Sequence, residues 1–318
     1  RTRVTPVMAF EDVSVRFVSG PAWARRHTDA LAGLSLEIAA GETLGVVGES
    51  GSGKTTLGRL ALGLLRPTAG RVRFGGKPVE SRAGYPRGSV AAVLQHPQWS
   101  LNPRLSIGSS IAEPLTVLGG CARPERQRRV AEMMGLVGLD AALLPRYPHE
   151  LSGGQRQRAS IARALITHPR FIVFDEATSA LDVSVQAQIL NLVLALQQQA
   201  GFAALFISHD LAAVRYVARR VTVLYAGRLM ELAESAGLYR PAAHPYTRCL
   251  QQASGLIDAP AYRLAGPFGA AAGDCCPLHP RCPLAVERCA RERPVPPAAD
   301  AGRVACHRAA ELANGSNP

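Results

Sequence analysis

Eight consecutive residues, Gly48-Glu49-Ser50-Gly51-Ser52-Gly53-Lys54-Thr55, satisfy the pattern of a phosphate-binding loop, and they lie between an apolar run and a helical pattern. Glycines at these positions let backbone N–H groups turn toward phosphate oxygens, and the N-terminus of the following helix adds partial positive charge. Lys54 then reaches the β and γ phosphates, the Thr55 hydroxyl is placed to coordinate Mg²⁺, and Thr56 extends the set. Further along, Phe171-Ile172-Val173-Phe174-Asp175-Glu176 is an apolar run ending in two carboxylates. Asp175 at the end of such a strand sits beside bound phosphates and can hold Mg²⁺ through water, while Glu176 is placed to orient an attacking water. Apolar runs ending in Asp-Glu are common, and the phosphate loop upstream is what gives this one its meaning. A third segment, Leu151-Ser152-Gly153-Gly154-Gln155, precedes a helix carrying Arg156, Arg158 and Arg163. Ser152 can serve simply as an N-cap, but a serine hydroxyl and two glycine N–H groups at a helix start also make an anion site.

Thr43 to Val47 reads as a buried strand feeding the glycine-rich loop, and Leu57, Leu60, Ala61 and Leu64 mark the helix behind it, ended by Pro67. Met8 to Val15 and Leu34 to Ile38 alternate as two antiparallel strands, with Gly41-Glu42 as a turn. Val90 to Leu94 is another short strand, and helical periodicity from about Ile107 to Pro148 predicts a small helical subdomain. After it come a helix from Gly153 to Thr167, a strand from Phe171 to Phe174, a helix from Val185 to Gln199 and a strand from Ala203 to Ile207. A helix from Leu211 to Ala218 and strands at Val221 to Tyr225 and Arg228 to Glu231 complete the series. Such alternation implies a mainly parallel sheet covered by helices. Beyond Pro241 the composition shifts to Pro, Ala, Gly and Cys, so the tail is expected to be a separate unit.

Composition narrows the class. With 318 residues, 47% hydrophobic and 19% charged, the chain is a folded protein of about two domains, and neither a disordered chain nor a fibrous repeat fits. The longest apolar stretch, Leu190 to Ile207, is broken by Gln197, Gln198 and Gln199, short of the ~18–20 residues of a membrane span. No apolar leader with a cleavage site opens the sequence, so a cytosolic location is expected. The net charge of +12 comes from arginine, since Lys54 and Lys77 are the only lysines. The basic residues are scattered without aromatic interleaving, which argues against a nucleic-acid partner and leaves room for attraction to an anionic membrane surface. Of seven cysteines, Cys275, Cys276, Cys282, Cys289 and Cys306 lie in the tail, and clustering in a reducing cytosol favours metal ligation over disulfides. Cys121 and Cys249 read as ordinary thiols.

With Leu-Ser-Gly-Gly-Gln at 151–155, the chain resembles the nucleotide-binding subunit of an ATP-binding cassette (ABC) transporter over roughly residues 8 to 255. The resemblance implies an α/β P-loop NTPase cassette at 1–240, with a mainly parallel sheet, an antiparallel β subdomain and a helical subdomain at about 96–150. It also explains two anion sites on one chain. Two subunits pair head to tail, and each ATP lies between one phosphate loop (Gly48, Ser50, Gly51, Ser52, Gly53, Lys54, Thr55, Thr56) and the partner's signature, which here is Ser152, Gly153, Gly154 and Gln155. By the same resemblance Gln95 senses Mg²⁺ and the γ-phosphate, so Mg²⁺ falls to Thr55, Gln95 and Asp175. Ser179-Ala180-Leu181-Asp182 crosses the dimer interface, and His209 contacts the γ-phosphate. Phe17 lies where adenine stacks, although the insertion from Ser19 to Asp29 makes Trp23 a rival.

The tail narrows the resemblance. His244-Pro245-Tyr246-Thr247-Arg248, Tyr147-Pro148-His149-Glu150 and Ser100-Leu101-Asn102-Pro103-Arg104 are similar to the peptide/nickel branch of dipeptide and oligopeptide permeases, with a C-terminal extension at 241–318. That branch implies an ATPase that powers peptide uptake from the cytoplasmic face of the membrane. The alternatives are import of nickel or another chelated solute, or a soluble ABC ATPase. Implied partners are a second ABC ATPase subunit, identical or homologous, two transmembrane permease subunits and an extracytoplasmic solute-binding protein. Cys276-x5-Cys282-x6-Cys289-x16-Cys306 matches the cysteines that hold a 4Fe–4S cluster in members of the branch. Four thiolates suit either iron–sulfur or Zn²⁺, and the intervals, wider than those of structural zinc, favour iron. His279 and His307 are substitute ligands, and Cys275 is an ambiguous neighbour.

Overall fold

The computed structural model describes residues 5–21, 24–95, 100–258, 263–266, 268–269, 273–296 and 302–313. Its strands are β1 (Met8–Ser19), β2 (Arg26–Ile38), β3 (Thr43–Val47), β4 (Ala69–Phe74), β5 (Lys77–Val79), β6 (Val90–Leu94), β7 (Phe171–Asp175), β8 (Ala203–Ile207), β9 (Arg220–Tyr225), β10 (Arg228–Glu234) and β11 (Arg303–Val304). They form an antiparallel sheet in the order β2-β1-β4-β5 and a larger sheet in the order β11-β10-β9-β3-β8-β7-β6. Within the larger sheet every pairing from β9 through β3, β8 and β7 to β6 is parallel, while β10 and β11 add antiparallel strands at one edge. Every residue of β3 and β8 is buried, as a sheet covered on both faces requires.

Successive residues of β8 divide between two cores, because side chains alternate across a strand. Leu205 and Ile207 pack with Phe10, Leu36 and Leu57, joining the antiparallel sheet and α1 (Lys54–Ala61) to one face. Ala204 and Phe206 pack with Ile111, Met134, Ile161, Val193 and Val214 on the other. That face carries α2 (Ile107–Leu118), α3 (Arg123–Leu136), α4 (Gly153–Leu165), α5 (Val183–Ala200) and α6 (Leu211–Val217). At Gly45 in β3 a Cβ would stand 2.1 Å from Val214 Cγ1, so the close approach of α6 requires glycine there.

Three features depart from the sequence reading. First, β1 and β2 run on past Val15 as a long hairpin, with Val18 opposite His27 and Ser19 opposite Arg26, so much of the 19–29 insertion lengthens the pair. Second, β4 and β5 escaped notice: Arg71-Val72-Arg73-Phe74 alternates with Val72 and Phe74 buried, but the run is only four residues long and is bounded by Gly70, Gly75 and Gly76. Third, the tail shares a sheet and an apolar core with the rest of the chain. β11 pairs with β10 through Glu231↔Val304 and Leu232↔Arg303, and Cys276, Leu278 and Cys289 share the apolar core with Tyr225 and Phe206. The helix α7 (Pro245–Ala253) inserts Tyr246 into that core fully buried, and α8 (Glu287–Arg291) and α9 (Ala309–Ala313) complete the extension.

The turn before β3 is fastened by an ion pair. The Glu42 carboxylate accepts from Arg220 Nε at 2.6 Å and from the Ala39 N–H at 2.8 Å, with Glu42 5% and Arg220 17% exposed. Removing one partner of such a pair leaves the other charge buried. Glu42→Ala is expected to lower stability by about 3 kcal/mol in guanidinium unfolding. A loss below about 0.5 kcal/mol, as at an exposed pair, would contradict this.

Candidate nucleotide site

Strand register alone gathers the site. Leu94 pairs with Asp175, Asp175 with Ile207, and Ile207 with Val46, so β6, β7, β8 and β3 end along one edge. Gln95, Glu176, Ser208 and Gly48 therefore leave the sheet side by side. The chain turns sharply at Gly48 (φ +153°), where a Cβ would meet the Leu224 carbonyl oxygen at 2.2 Å. At Gly53 (φ +104°), which caps α1, a Cβ would stand 2.5 Å from the Ala30 carbonyl oxygen. Both positions admit only glycine.

Inside the loop Lys54 Nζ donates to the Gly48 carbonyl at 2.7 Å and the Glu49 carbonyl at 2.9 Å. Burial lowers its pKa from the ordinary lysine value, opposed by the charges of Glu176, Asp175 and Glu49. The Asp175 carboxyl is raised, first by burial and then by Glu176, with Lys54 and Arg59 opposing. Ser52 is fully buried, and its hydroxyl has no hydrogen-bond partner among the described residues. Ser50, Gly51 and Thr55 are exposed and Thr56 half-buried on the open side of the loop.

Glu176 adopts φ +48°, a left-handed conformation that costs a non-glycine residue on the order of 1 kcal/mol. It is pinned by its N–H to the Ile207 carbonyl at 2.9 Å and by the Ser179 hydroxyl donating to its own carbonyl at 3.0 Å. Its Oε2 lies 3.5 Å from His209 Nδ1. Gln95 is exposed directly after β6. Thr55, Gln95 and Asp175 offer a hydroxyl, an amide oxygen and a carboxylate, a donor set that suits a hard cation such as Mg²⁺. A buried ammonium, strained carboxylate and imidazole on one edge can receive a polyphosphate and polarise a water beside it.

Other predicted residues stand apart from this edge. Ser152 caps α4, accepting from the Gln155 N–H at 3.2 Å, while Gln155 Oε1 accepts the Ser152 N–H at 2.9 Å. No hydrogen bond among the described residues links residues 152–155 to residues 48–56. Ser152 is thus an N-cap within this chain. Asp182 caps α5, and the Val185 N–H and Ser184 hydroxyl hold its carboxyl below the usual range. Phe17 is 42% exposed on β1, paired with Thr28, and Trp23 lies outside the described residues.

In the extension, Cys276 N–H donates to the Cys289 carbonyl at 2.9 Å. Burial pushes the Cys276 thiol up to about 12 and Cys282 to about 11, and raises Cys306, each with contributions from neighbouring cysteines. Four thiols thus share one neighbourhood, and the donor chemistry suits a thiophilic metal. Among the described residues, however, no three His, Cys, Asp or Glu side chains converge as a metal site. His279 and His307 rings lie 3.2 and 3.0 Å from the Cys276 and Glu292 carbonyls. Cys275 is buried, and Cys121 and Cys249 are half-buried.

The sequence reading missed the residues that approach the loop from the extension. Tyr246 Oη accepts the Glu49 N–H at 2.8 Å, and Arg281 Nη1 lies 3.1 Å from the Glu49 carboxylate. The His-Pro-Tyr motif was the available signal, and it was read only as a mark of relationship.

Residues 31–179 match the ABC transporter family and residues 230–289 the C-terminal region of oligopeptide/dipeptide transporters. A putative peptide import ATP-binding protein of Brucella abortus is 47% identical over 289 residues, covering 86% of this chain and 85% of its own length. The di/tripeptide transport ATP-binding protein DppF of Pseudomonas aeruginosa is 46% identical over 293 residues, covering 89% and 91%. Among solved structures, a dimeric ATP-binding cassette bound to ADP and Pi in a post-hydrolysis state superposes with a TM-score of 0.62 at 26% identity, covering 72% of this chain and 98% of that one. A component of the ABC transporter complex cbiONQ from Clostridium perfringens gives 0.65 at 27% identity, covering 74% and 91%.

Proposed function

Because the chain belongs to the ABC transporter ATP-binding proteins of the oligopeptide/dipeptide family, we propose that it hydrolyses ATP to power peptide import across the cytoplasmic membrane. The observation that carries this is the alignment of Lys54, Asp175, Glu176 and His209 along the edge where β3, β7 and β8 end. Lys54 neutralises the β and γ phosphates, Glu176 polarises the attacking water, and His209, with Gln95, reads the γ-phosphate. Mg²⁺ held by Thr55, Gln95 and Asp175 would supply charge neutralisation at the phosphates. Phe17, with Trp23 as its rival, stacks on adenine.

The dimeric cassette among the structural relatives supports a site completed by a second ATPase subunit, whose Ser152, Gly153, Gly154 and Gln155 counterparts face the phosphates across Asp182. No described helix is long and apolar enough to cross a membrane. As an ATP-binding subunit of this family, the chain acts peripherally on the cytoplasmic face, beneath two permease subunits fed by a solute-binding protein. In the detergent-purified complex, peptide-loaded binding protein is expected to stimulate ATP hydrolysis. Stimulation by a nickel chelate in place of peptide would move the solute class, and co-purification with ribosomes or DNA without permeases would reject the reading.

The division into a cassette at 1–240 and an extension at 241–318 belongs to the same proposal, with Cys276, Cys282, Cys289 and Cys306 binding a 4Fe–4S cluster and Zn²⁺ as the rival. The burial of Cys276 and Cys289 and the partial burial of Cys282 and Cys306, each acting electrostatically on its neighbours, support it. An extension whose apolar residues are mostly alanine and cysteine has few large side chains to bury and gains stability from a closed tetrathiolate site. Anaerobic purification is expected to give about four irons and four sulfides per chain. Stoichiometric zinc would replace the cluster, and a metal-free, fully folded extension would remove the site. Cys282→Ser is expected to lower the protease resistance of the extension.

A further inference from the structure

We propose that the C-terminal extension completes the phosphate loop, with Arg281 and Tyr246 acting as positioning residues that hold Glu49 and so preset the loop for ATP. The inference rests on the nucleotide reading above and assigns to the extension a part in that site. Three contacts carry it. Tyr246, fully buried on α7, accepts the Glu49 N–H at 2.8 Å. Arg281 Nη1 lies 3.1 and 3.3 Å from the two Glu49 carboxylate oxygens and 3.2 Å from Tyr225 Oη, with its side chain only 12% exposed. Phe268 lies against Gly51, its Cε1 3.3 Å from where a Cβ would stand.

These groups are braced against one another. Tyr225 meets Tyr246 and Phe268 with ring centroids 5.0 Å apart in each case, and its hydroxyl donates to the Gly269 carbonyl at 2.6 Å. Arg281 Nε donates to the Ala265 carbonyl at 3.2 Å. On the far side of the Glu49 peptide, the Glu49 and Gly48 carbonyls are the acceptors of Lys54 Nζ. One peptide unit is therefore held by the extension through its N–H and side chain while its carbonyl sets the resting place of the lysine.

Two physical effects follow. A loop ordered in advance loses less conformational freedom when the nucleotide arrives. A carboxylate beside the triphosphate repels it unless a cation neutralises that charge, and Arg281 is the ion-pair partner that does so. Both effects act on affinity and leave the attack of water to Glu176.

The test uses the assembled transporter and MgATP, with Arg281→Gln, Arg281→Lys, Glu49→Gln, the double variant Arg281→Gln/Glu49→Gln, and Tyr246→Phe. Arg281→Gln is expected to raise the KM and Kd for MgATP about five- to tenfold with kcat within about twofold, since the pair acts on the nucleotide only through the loop. Arg281→Lys recovers most of the affinity. The double variant binds no more weakly than Arg281→Gln alone, since the two residues act on one contact. Tyr246→Phe, which keeps the ring packing, weakens MgATP binding without the charge change. Unchanged affinity in Arg281→Gln, additive losses in the double variant, or a fall in kcat with no change in KM would overturn the proposal. An unsubstituted complex that binds no ATP would instead overturn the nucleotide reading itself.

Discussion

Glu176→Gln is expected to bind MgATP at least as tightly as the unsubstituted chain while hydrolysing it about 10²–10⁴-fold more slowly, the range for loss of a positioned general base. The amide has nearly the shape of the carboxylate, so the pinned backbone at φ +48°, held by the Ile207 carbonyl and the Ser179 hydroxyl, is undisturbed. What disappears is a negative charge within reach of His209 and Lys54. Its loss removes the group that polarises water and also one repulsion against the triphosphate. Single-turnover hydrolysis and nucleotide binding on the same preparation separate these effects. Turnover within about threefold of the unsubstituted rate would remove Glu176 from the role of base.

Lys54→Ala is expected to fail earlier, at binding, with MgATP affinity falling about 10²-fold or more as a buried charge-assisted contact is lost. Lys54 is the buried cation that the carboxylates of Glu176, Asp175 and Glu49 all act on. Without it the phosphates meet Asp175 and Glu176 with the nearest cation removed, in a setting where burial already raises Asp175. Equilibrium binding of a fluorescent ATP analogue reads the loss directly. Affinity retained within about threefold would show that the loop holds nucleotide without its lysine.

The phosphate loop, the Asp175-Glu176 strand end and the parallel sheet were legible because each is local: a periodic run, then glycines or acids at its end. Gln95, directly after β6, and His209, two residues after β8, were legible only through the resemblance to the ABC family, because a lone glutamine or histidine beside a strand carries no signal of its own. The link from Tyr246 to Glu49 spans 197 residues and that from Arg281 to Glu49 spans 232, so no periodicity or spacing announces either. β11 was hidden for a related reason, since its two residues become a strand only by pairing with β10. The cysteine spacing was plain in the sequence, whereas the surroundings that bury Cys276 and Cys289 beside the main core were not.

The most direct measurement is uptake into vesicles carrying the complete complex, with MgATP in the lumen and binding protein loaded with a labelled dipeptide outside. Peptide is expected to accumulate only with hydrolysable ATP and to stop when Glu176→Gln replaces this chain. ATP hydrolysis that proceeds unaltered by peptide, with no peptide accumulated, would contradict the assignment.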